Sequence, residues 1–338
     1  MIIDLHTHLY PKVYLAALER VPGLPRVVRD AAGYQFEIFA DEVVTRPDGV
    51  RPGRAMGPEY YGVGDKLRFM DDHRIDLSVV SVGNPWLDPF QGDAGVELAR
   101  TLNDELEDMA AASHGRLLAY GVLPMTTVEQ ALTELSRIAT HRHLVGISLG
   151  TRPFGTSLDD VHLEPLWGAL AERKLIVFIH PHYGLGLQEM GGFGHILPVG
   201  IGFVFETTLA ISRLVLAGVL RRHPALTLLA AHSGGTLPFV AGRLDNSWRA
   251  EEDSVFGEVP PSVDLQRVFY DSLSYSPHAI GATLEFAGAD HMVFGTDHPF
   301  AISNAAANVA AIEQLGKGQK DIFHGTASRL IAAAKAGR

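Results

Sequence analysis

The strongest constraint on the fold is the alternation of short apolar runs with helix-like stretches along the 338 residues of the chain. Eight runs rich in β-branched residues and leucine lack strict polar alternation, as is typical of strands covered on both faces. These runs span residues 1–6, 75–83, 117–124, 144–150, 175–180, 226–232, 268–273 and 291–297. Helix-like stretches lie between many of them, among them 96–113, 127–140, 159–173, 206–222 and 303–314. This alternation predicts a parallel sheet.

Eight parallel strands favour closure into an α/β fold of the (β/α)8 TIM barrel type, and we expect one barrel domain over residues 1–338. An open doubly wound sheet would need a glycine-rich phosphate loop after its first strand, where "HTHLYPK" stands instead. Residues 12–66 break the alternation and are rich in Gly, Pro, Arg and Asp. We interpret them as an insertion that folds over the mouth of the barrel.

Composition narrows the classes of partner and environment. The formal net charge is −11 and no basic tail is present, so neither nucleic acid nor an anionic membrane is an expected partner. The chain has no cysteine, which excludes disulfides and thiolate metal ligands and fits a cytoplasmic location. "MIIDLHTHLY" lacks the features of a signal peptide, and no stretch approaches about 18 consecutive residues free of charged or polar side chains, so we expect a soluble chain. A small anionic substrate is compatible with this charge, because it responds to the local site.

Polar side chains gather where the predicted strands end, the edge at which TIM barrels place their chemistry. In "IIDLHTH", His6 and His8 are two positions apart and therefore point to the same side of a strand. The later strand ends carry, in order, Asn84, Ser148, His180, His232, Asp271 and Asp297. Each of these residues taken alone could be a hydrogen-bonded structural residue. As a set, three imidazoles and a carboxylate suit Zn²⁺ or Mn²⁺, and the predicted ligands are His6, His8, His180 and Asp297.

Four longer motifs, "DLHTH", "FIHPHYG", "LAAHSGGTLPFVAGRLD" and "VFGTDHPF", resemble those of the metal-dependent amidohydrolase superfamily. More narrowly, the chain resembles the aminocarboxymuconate-semialdehyde decarboxylase branch of amidohydrolase-related family 2, nearly from end to end. The resemblance implies a barrel fold, a homodimer or higher oligomer, the four metal ligands above, and His232 as the acid/base that acts on metal-bound water. "GISLG" lacks the lysine that bridges two metals in other branches. We therefore expect one divalent ion, Zn²⁺ before Mn²⁺.

The resemblance also indicates two arginines for substrate binding. Arg54, in the insertion, takes the place of an arginine that binds the substrate carboxylate, with Arg51 as the neighbouring alternative. Arg243, in "AGRLD", matches an arginine that reaches into the site of the neighbouring subunit. The alternative for Arg243 is an ordinary salt bridge on a helix surface.

Three further histidines are candidates for the site. His182, in "HPHYG", follows a predicted ligand and could face the substrate or support that ligand. His195 lies in the glycine-rich "GGFGHILP", which could close over the mouth and contact the substrate. His298 directly follows Asp297 and is a candidate for orienting it.

The leading functional prediction is a metal-dependent, non-oxidative decarboxylase of an unsaturated or aromatic carboxylic acid, with His232 and Asp297 as catalytic residues. A metal would polarise substrate oxygens and lower the pKa of bound water, and His232 would transfer a proton. The alternative is a hydrolase of lactones or amides, or a hydratase, on the same scaffold. A catalytically silent metal- or ligand-binding protein is the third class, and the full ligand set argues against it. Gly235 stands where hydroxybenzoate-type decarboxylases often carry a glutamate, which favours the aminocarboxymuconate-like group.

Overall fold

The computed structural model of the protein describes residues 1–30, 33–39, 42–43, 53–181, 184–251 and 258–337. Its strands are β1 (Ile3–His8), β2 (Arg26–Asp30), β3 (Gly33–Glu37), β4 (Arg54–Met56), β5 (Leu77–Ser81), β6 (Leu117–Gly121), β7 (Leu144–Gly150), β8 (Ile176–His180), β9 (Thr227–Ala230), β10 (Phe269–Asp271) and β11 (Met292–Val293). Its α-helices are α1 (Lys12–Leu18), α2 (Pro58–Tyr61), α3 (Val63–Asp72), α4 (Gly92–Ala111), α5 (Val128–Ile138), α6 (Glu164–Glu172), α7 (Phe203–Leu216), α8 (Val219–Arg222), α9 (Leu237–Ala250), α10 (Pro261–Leu265), α11 (Pro277–Ala287), α12 (Ala305–Glu313) and α13 (Thr326–Ala336).

Eight of the strands form one sheet in the order β1-β5-β6-β7-β8-β9-β10-β11. Each neighbouring pair in this sheet is parallel. A parallel bridge between Asp4 and Phe294 returns the chain after β11 to β1, where the Leu5 amide donates to the Phe294 carbonyl at 2.9 Å. The sheet therefore closes, which confirms the expected (β/α)8 TIM barrel.

The barrel strands are apolar because both of their faces are covered. Every residue of β1, β6, β7 and β8 is buried, as in strands packed between a barrel interior and an outer ring of helices. Gly146 in β7 allows the neighbouring strand to approach closely, since a Cβ there would lie 2.1 Å from the Ile176 carbonyl oxygen. These strands give the site a rigid base.

The insertion at residues 12–66 contains α1, a three-stranded antiparallel sheet, α2 and the first turn of α3. β3 is the central strand of this sheet, and its Phe36 pairs with Val27 of β2 and with Arg54 of β4. Because α3 continues to Asp72 and leads into β5, the insertion ends inside a helix of the barrel. The antiparallel sheet is thereby linked through α2 to α3, whose Lys66 contacts Thr7 of β1.

Several of the predicted strands are shorter than expected, and at two of them this affects the site. β9 ends at Ala230 and β11 at Val293, so His232 and Asp297 lie on the turns that follow. Both have left-handed backbone conformations, with φ of 56° and 58°. Such conformations cost a non-glycine residue of the order of 1–3 kcal/mol and cluster at functional sites.

One helical stretch in the described part of the chain, Pro198–Leu216, is long and apolar enough to cross a membrane by length and composition alone. This is weak evidence for a membrane span, because core helices of other proteins pass the same test. The stretch exposes Ile201, Phe205 and Leu209.

Candidate active site

The four predicted metal ligands converge at the C-terminal end of the barrel. His6, His8, His180 and Asp297, which we call the metal cluster, are all buried, and one ligand atom from each lies within 4.8 Å of the others. His8 Nε2 is 3.2 Å from His6 Nε2 and 3.1 Å from Asp297 Oδ1. Among the described residues, these four side chains form the group that could hold a metal ion. The structure therefore brings together the four ligands that the sequence predicted.

Hydrogen bonds fix which ring nitrogen each histidine presents to the cluster. His6 Nδ1 donates to Asp271 Oδ2 at 2.6 Å, and His180 Nδ1 donates to the Pro181 carbonyl at 2.9 Å. His8 Nδ1 lies 3.0 Å from Ser81 Oγ. In each case Nε2 is left to face the common point, and His180 Nε2 is buried without a hydrogen-bond partner. An orphaned, lone-pair-bearing nitrogen in such a cluster fits a divalent cation, and the partners on the opposite ring nitrogen are those that orient metal-bound histidines.

The electrostatics of the metal cluster are also those of a cation site. Burial by itself would lower the pKa of His6, but its bonds to Asp271 and Asp297 outweigh this and raise the pKa to about 10. Burial lowers the pKa of His8 to about 4, and that of His180 falls well below its usual value for the same reason. Burial opposes ionisation of Asp297, but hydrogen bonds from His6 and His8 hold its pKa well below its usual range. At neutral pH the cluster therefore offers two neutral imidazoles, His8 and His180, and the Asp297 carboxylate, while His6 carries an extra proton that a metal would displace.

Asp271 supports the site. The sequence places it at the end of a predicted strand but does not indicate a role for it. Its Oδ2 accepts from His6 Nδ1 and from the backbone amide of His232, while Oδ1 accepts from the backbone amides of Ser233 and Leu273. One buried carboxylate thus orients a metal ligand and the turn that carries the predicted acid/base. The signal available in the sequence was its position at the end of the seventh apolar run, although its partners lie far away along the chain.

His232 lies beside the metal cluster without belonging to it. Its Nε2 is 4.0 Å from Asp297 Oδ2, and its ring centroid is 5.1 Å from those of His6 and His180. Its Nδ1 is buried without a hydrogen-bond partner. Burial, together with the positive charge on His6, lowers the pKa of His232. The imidazole is therefore neutral at pH 7 and able to accept a proton.

A pocket opens directly above His180, His232 and Asp297. Its walls are largely apolar, and five phenylalanine or tyrosine rings line it: Phe36, Phe39, Tyr60, Phe203 and Phe300. Arg54 also lines it, and within the described part of the chain the Nε of this arginine is buried without a hydrogen-bond partner. The predicted arginine of the insertion therefore faces the site, and it is the one Lys or Arg among the described residues lining this pocket. Its alternative, Arg51, lies outside the described residues.

The other predicted substrate-binding residues divide into three cases. His195 lines the pocket, hydrogen-bonds to Glu42 of the insertion and packs against Phe39 with ring centroids 4.5 Å apart. This contact joins the insertion to residues 184–202, which we call the mouth loop. Arg243 is exposed on α9 and is not among the residues that line the pocket of its own chain. His182 lies outside the described residues.

The structure leaves no room for a side chain at Gly235, three residues after His232. Its φ is +69°, and a Cβ there would lie 2.2 Å from the Val204 carbonyl oxygen and 2.5 Å from Thr208 Oγ1. Helix α7 therefore fills the space into which a glutamate would have to extend. This agrees with the sequence argument that the hydroxybenzoate-type subgroup is disfavoured.

The fold and the site define a class of metal-dependent barrel enzymes, and comparison with known proteins agrees. The family model described as Amidohydrolase (Amidohydro_2) matches residues 3–332. The chain belongs to this amidohydrolase family. Nearly the whole chain contributes to the match, which includes every ligand of the metal cluster.

Individual relatives narrow the comparison. The chain is 28% identical to 2-amino-3-carboxymuconate-6-semialdehyde decarboxylase of Dictyostelium discoideum, over 88% of this chain and 81% of the relative. It is 26% identical to gamma-resorcylate decarboxylase of Rhizobium radiobacter, over 84% of this chain and 87% of the relative. The crystal structure of Metarhizium anisopliae IDCase in apo form superposes with a TM-score of 0.89 at 34% identity, covering 98% of this chain and 97% of the other.

These relatives confirm the predicted branch and the predicted enzyme class, a metal-dependent carboxy-lyase. They give no support to the alternative of a hydrolase or hydratase. The donor set of the metal cluster is consistent with a divalent ion.

Proposed function

We propose that the protein removes CO₂ from a planar, unsaturated or aromatic carboxylic acid, with His232 as the acid/base. The observation that carries this proposal is the position of His232 Nε2, 4.0 Å from Asp297 Oδ2, on the floor of an aromatic-lined pocket that also contains Arg54. The acid/base His232, the metal ligands His180 and Asp297, and the guanidinium of Arg54 therefore all line the same pocket.

A divalent ion held by the metal cluster, Zn²⁺ first and Mn²⁺ second, would polarise substrate oxygens and lower the pKa of bound water towards neutrality. The chain's own residues supply the remaining functions. Arg54 has a planar guanidinium that is always charged and can bind a carboxylate through two parallel hydrogen bonds. The aromatic side chains of the pocket, with Phe36, Phe39 and Tyr60 from the insertion, would hold a flat substrate in one orientation.

The reaction breaks the bond between the carboxylate carbon and the adjacent carbon of the substrate. The electron pair of that bond remains on the substrate carbon, which takes up one proton as CO₂ leaves. His232 and Asp297 are the two groups placed to deliver or relay this proton. A neutral His232 accepts this proton from water and then passes it to the substrate carbon, which is the behaviour expected of a general acid/base with a lowered pKa.

The relatives support the class of substrate. Their names state a carboxymuconate semialdehyde and a resorcylate, one an unsaturated acid and the other an aromatic acid. What the two substrates share is a carboxylate on an unsaturated or aromatic carbon skeleton, and we propose a substrate of this kind for the present chain. The particular acid depends on the pocket walls contributed by the insertion and the mouth loop.

The test is release of CO₂ from a panel of carboxylated muconates, salicylates, orsellinates, vanillates and pyrimidines by protein loaded with Zn²⁺ or Mn²⁺. We expect release from at least one member and none from the same protein after chelation. Hydrolysis of a lactone or amide panel without any CO₂ release would contradict the proposal.

The proposal includes a second copy of the chain. Arg243 lies on α9 four residues after Phe239, whose side chain is 91% exposed, and α7 exposes Phe205 and Leu209. An isologous homodimer would bury these apolar side chains against their counterparts. It would also allow Arg243 to reach the pocket of the neighbouring subunit.

Complementation tests this arrangement. Inactive Arg243→Ala and inactive His232→Ala chains are mixed under conditions of subunit exchange. In a random mixture about a quarter of the sites would contain both wild-type residues, because half of the dimers are mixed and each has one intact site. Recovery near this fraction supports an arginine acting across the interface. No recovery, although mixed dimers form, would contradict it.

A further inference from the structure

The strongest unexplained feature near the site is a fully buried lysine. Lys66, on α3, has no exposed surface. Its Nζ donates to Thr7 Oγ1 at 2.8 Å, to His298 Nδ1 at 2.6 Å and to the His298 carbonyl at 3.2 Å. None of these acceptors is a carboxylate. Burial lowers the pKa of Lys66 to about 7, so enclosing this amine opposes folding and calls for another reason for its presence.

All three acceptors lie within one residue of a metal ligand. Thr7 stands between His6 and His8, and His298 follows Asp297. The His298 carbonyl accepts from three donors at once: the His8 amide at 2.7 Å, Thr7 Oγ1 at 3.0 Å and Lys66 Nζ. This carbonyl therefore joins the end of β1 to the turn that carries Asp297.

Helix α3 holds the same turn through a second contact. The ring of Phe69, one turn after Lys66, stacks on the ring of His298 with centroids 3.7 Å apart and an interplanar angle of 19°. Residues three apart on a helix share a face, so α3 presents an amine and an aromatic ring to one histidine. The turn needs such support because Asp297 has φ of +58°, a conformation that persists only where its surroundings enforce it.

We propose that Lys66 is a positioning residue for the metal centre, acting through the His298 carbonyl and Thr7 to hold Asp297 against His6 and His8. This inference rests on the metal centre of the proposed function. It goes beyond that function by assigning a role to α3, which contributes no metal ligand. Metal affinity is measured without substrate, so the result is separate from the choice of substrate.

Lys66 could affect metal affinity through its charge or through the position of the ligands. These two effects change the affinity of a Lys66→Met variant in opposite directions, so an experiment can distinguish them. A positive charge near the cluster repels a cation, so a lysine acting only through its charge would make Lys66→Met bind metal more tightly. A lysine that positions the ligands would make the same variant bind metal more weakly, by about 10–100-fold, as is typical when the partners of metal ligands are removed. Lys66→Met leaves the Thr7 hydroxyl bonded to the His298 carbonyl. The metal-free variant should therefore unfold at the wild-type temperature or above it.

The experiment measures Zn²⁺ affinity by competition with a chelator, and the unfolding temperature of each metal-free protein. The variants are Lys66→Met, Lys66→Arg, Thr7→Val and the double variant Lys66→Met/Thr7→Val. Arg68→Met is the matched control, because Arg68 lies on the same helix with its side chain 69% exposed. We expect weaker binding in Lys66→Met, partial recovery in Lys66→Arg and no change in Arg68→Met. The double variant should lose less affinity than the product of the single losses, because both residues act through one carbonyl.

Unchanged or tighter Zn²⁺ binding by folded Lys66→Met would overturn the inference. A lower unfolding temperature with unchanged affinity would also overturn it, because the lysine would then serve only the fold. If Lys66→Met fails to fold, the Zn²⁺ affinity of Thr7→Val tests the inference instead. A several-fold loss of Zn²⁺ affinity in Thr7→Val supports the positioning role, and wild-type affinity overturns it.

Discussion

The metal cluster and the insertion both contribute residues to the same pocket, and they are built differently. The metal cluster is carried by the ends of parallel barrel strands and the turns after them, and all its members are buried. The insertion reaches the pocket from a small antiparallel sheet and from loops, with a half-buried Arg54 and a hydrogen bond between Glu42 and His195. A closed barrel can fix reactive groups within tenths of an ångström, whereas an appended sheet can vary without disturbing them. We infer that the barrel determines the reaction and the insertion determines the substrate.

The largest expected effect is loss of metal from His180→Ala. His180 Nε2 has no hydrogen-bond partner among the residues that the structure describes, and its removal takes away one of the four ligands. Elemental analysis should show metal content falling from about one ion per chain to a small fraction of that. His143→Ala is the matched control, because His143 pairs with Glu107 away from the pocket. Wild-type metal content in His180→Ala would remove this residue from the metal cluster.

His232→Ala should separate chemistry from metal binding. We expect it to retain the metal while turnover falls by about 10²–10⁴, the range for loss of a general acid or base. Because burial lowers the pKa of His232, the plot of rate against pH should also lose its acid limb, which lies below the ordinary histidine pKa of about 6.5. If metal content falls together with activity, His232 is a ligand and the separation between cluster and acid/base is wrong.

Metal binding should release a proton, and Asp271 should control how much. Burial alone lowers the pKa of His6, but Asp271 and Asp297 raise it to about 10, so the metal-free ring is protonated at pH 8. Binding then displaces about one proton, and affinity rises about tenfold per pH unit up to that pKa. Asp271→Asn removes one of the groups that raise this pKa. Calorimetry in buffers of different ionisation enthalpy should show fewer protons released at pH 8 by Asp271→Asn than by the wild type, and equal release would contradict the role given to Asp271.

On the side of the insertion, Arg54→Lys should weaken substrate binding by about tenfold, because an ammonium cannot reproduce the planar pair of hydrogen bonds. Metal content and kcat should change much less than KM. Arg29→Lys is the control within the same small sheet, since Arg29 lies over Tyr34 and does not line the pocket. An equal loss of kcat and kcat/KM would instead give Arg54 a role in the chemical step.

The smallest effect is expected from Glu42→Gln, which weakens the contact between the insertion and the mouth loop. Glu42 hydrogen-bonds to His195 and accepts from the amides of Ile38 and Phe39. We expect proteolysis in the mouth loop to accelerate a few-fold and kcat/KM to change by less than about tenfold, as for a contact that shapes a loop. Glu19→Gln, an exposed change in the insertion, serves as control. Metal loss in Glu42→Gln would show that the two regions are not independent.

The same contrast explains what the sequence could predict. Strand ends are local signals: "DLHTH" and "FIHPHYG" place imidazoles directly after apolar runs, and parallel strands bring those ends together. The roles of Asp271 and Lys66 depend on contacts between distant residues, since His6 and Asp271 are 265 positions apart and Lys66 and His298 are 232 apart. Neither polar residue sits in a motif that distinguishes it from a solvated residue. The position of Arg54 was predicted through the resemblance, because no periodicity in residues 12–66 indicates which arginine faces inward.

The most direct test of the central claim is titration of the metal-free protein with Zn²⁺ or Mn²⁺ while CO₂ release is recorded from the substrate found in the panel. A single metal centre formed by the barrel predicts that the rate rises in proportion to bound metal and stops rising at about one ion per chain. In His180→Ala the same titration should give almost no rise. CO₂ release by the metal-free protein at the wild-type rate, or a rate that keeps rising to two ions per chain, would contradict the claim.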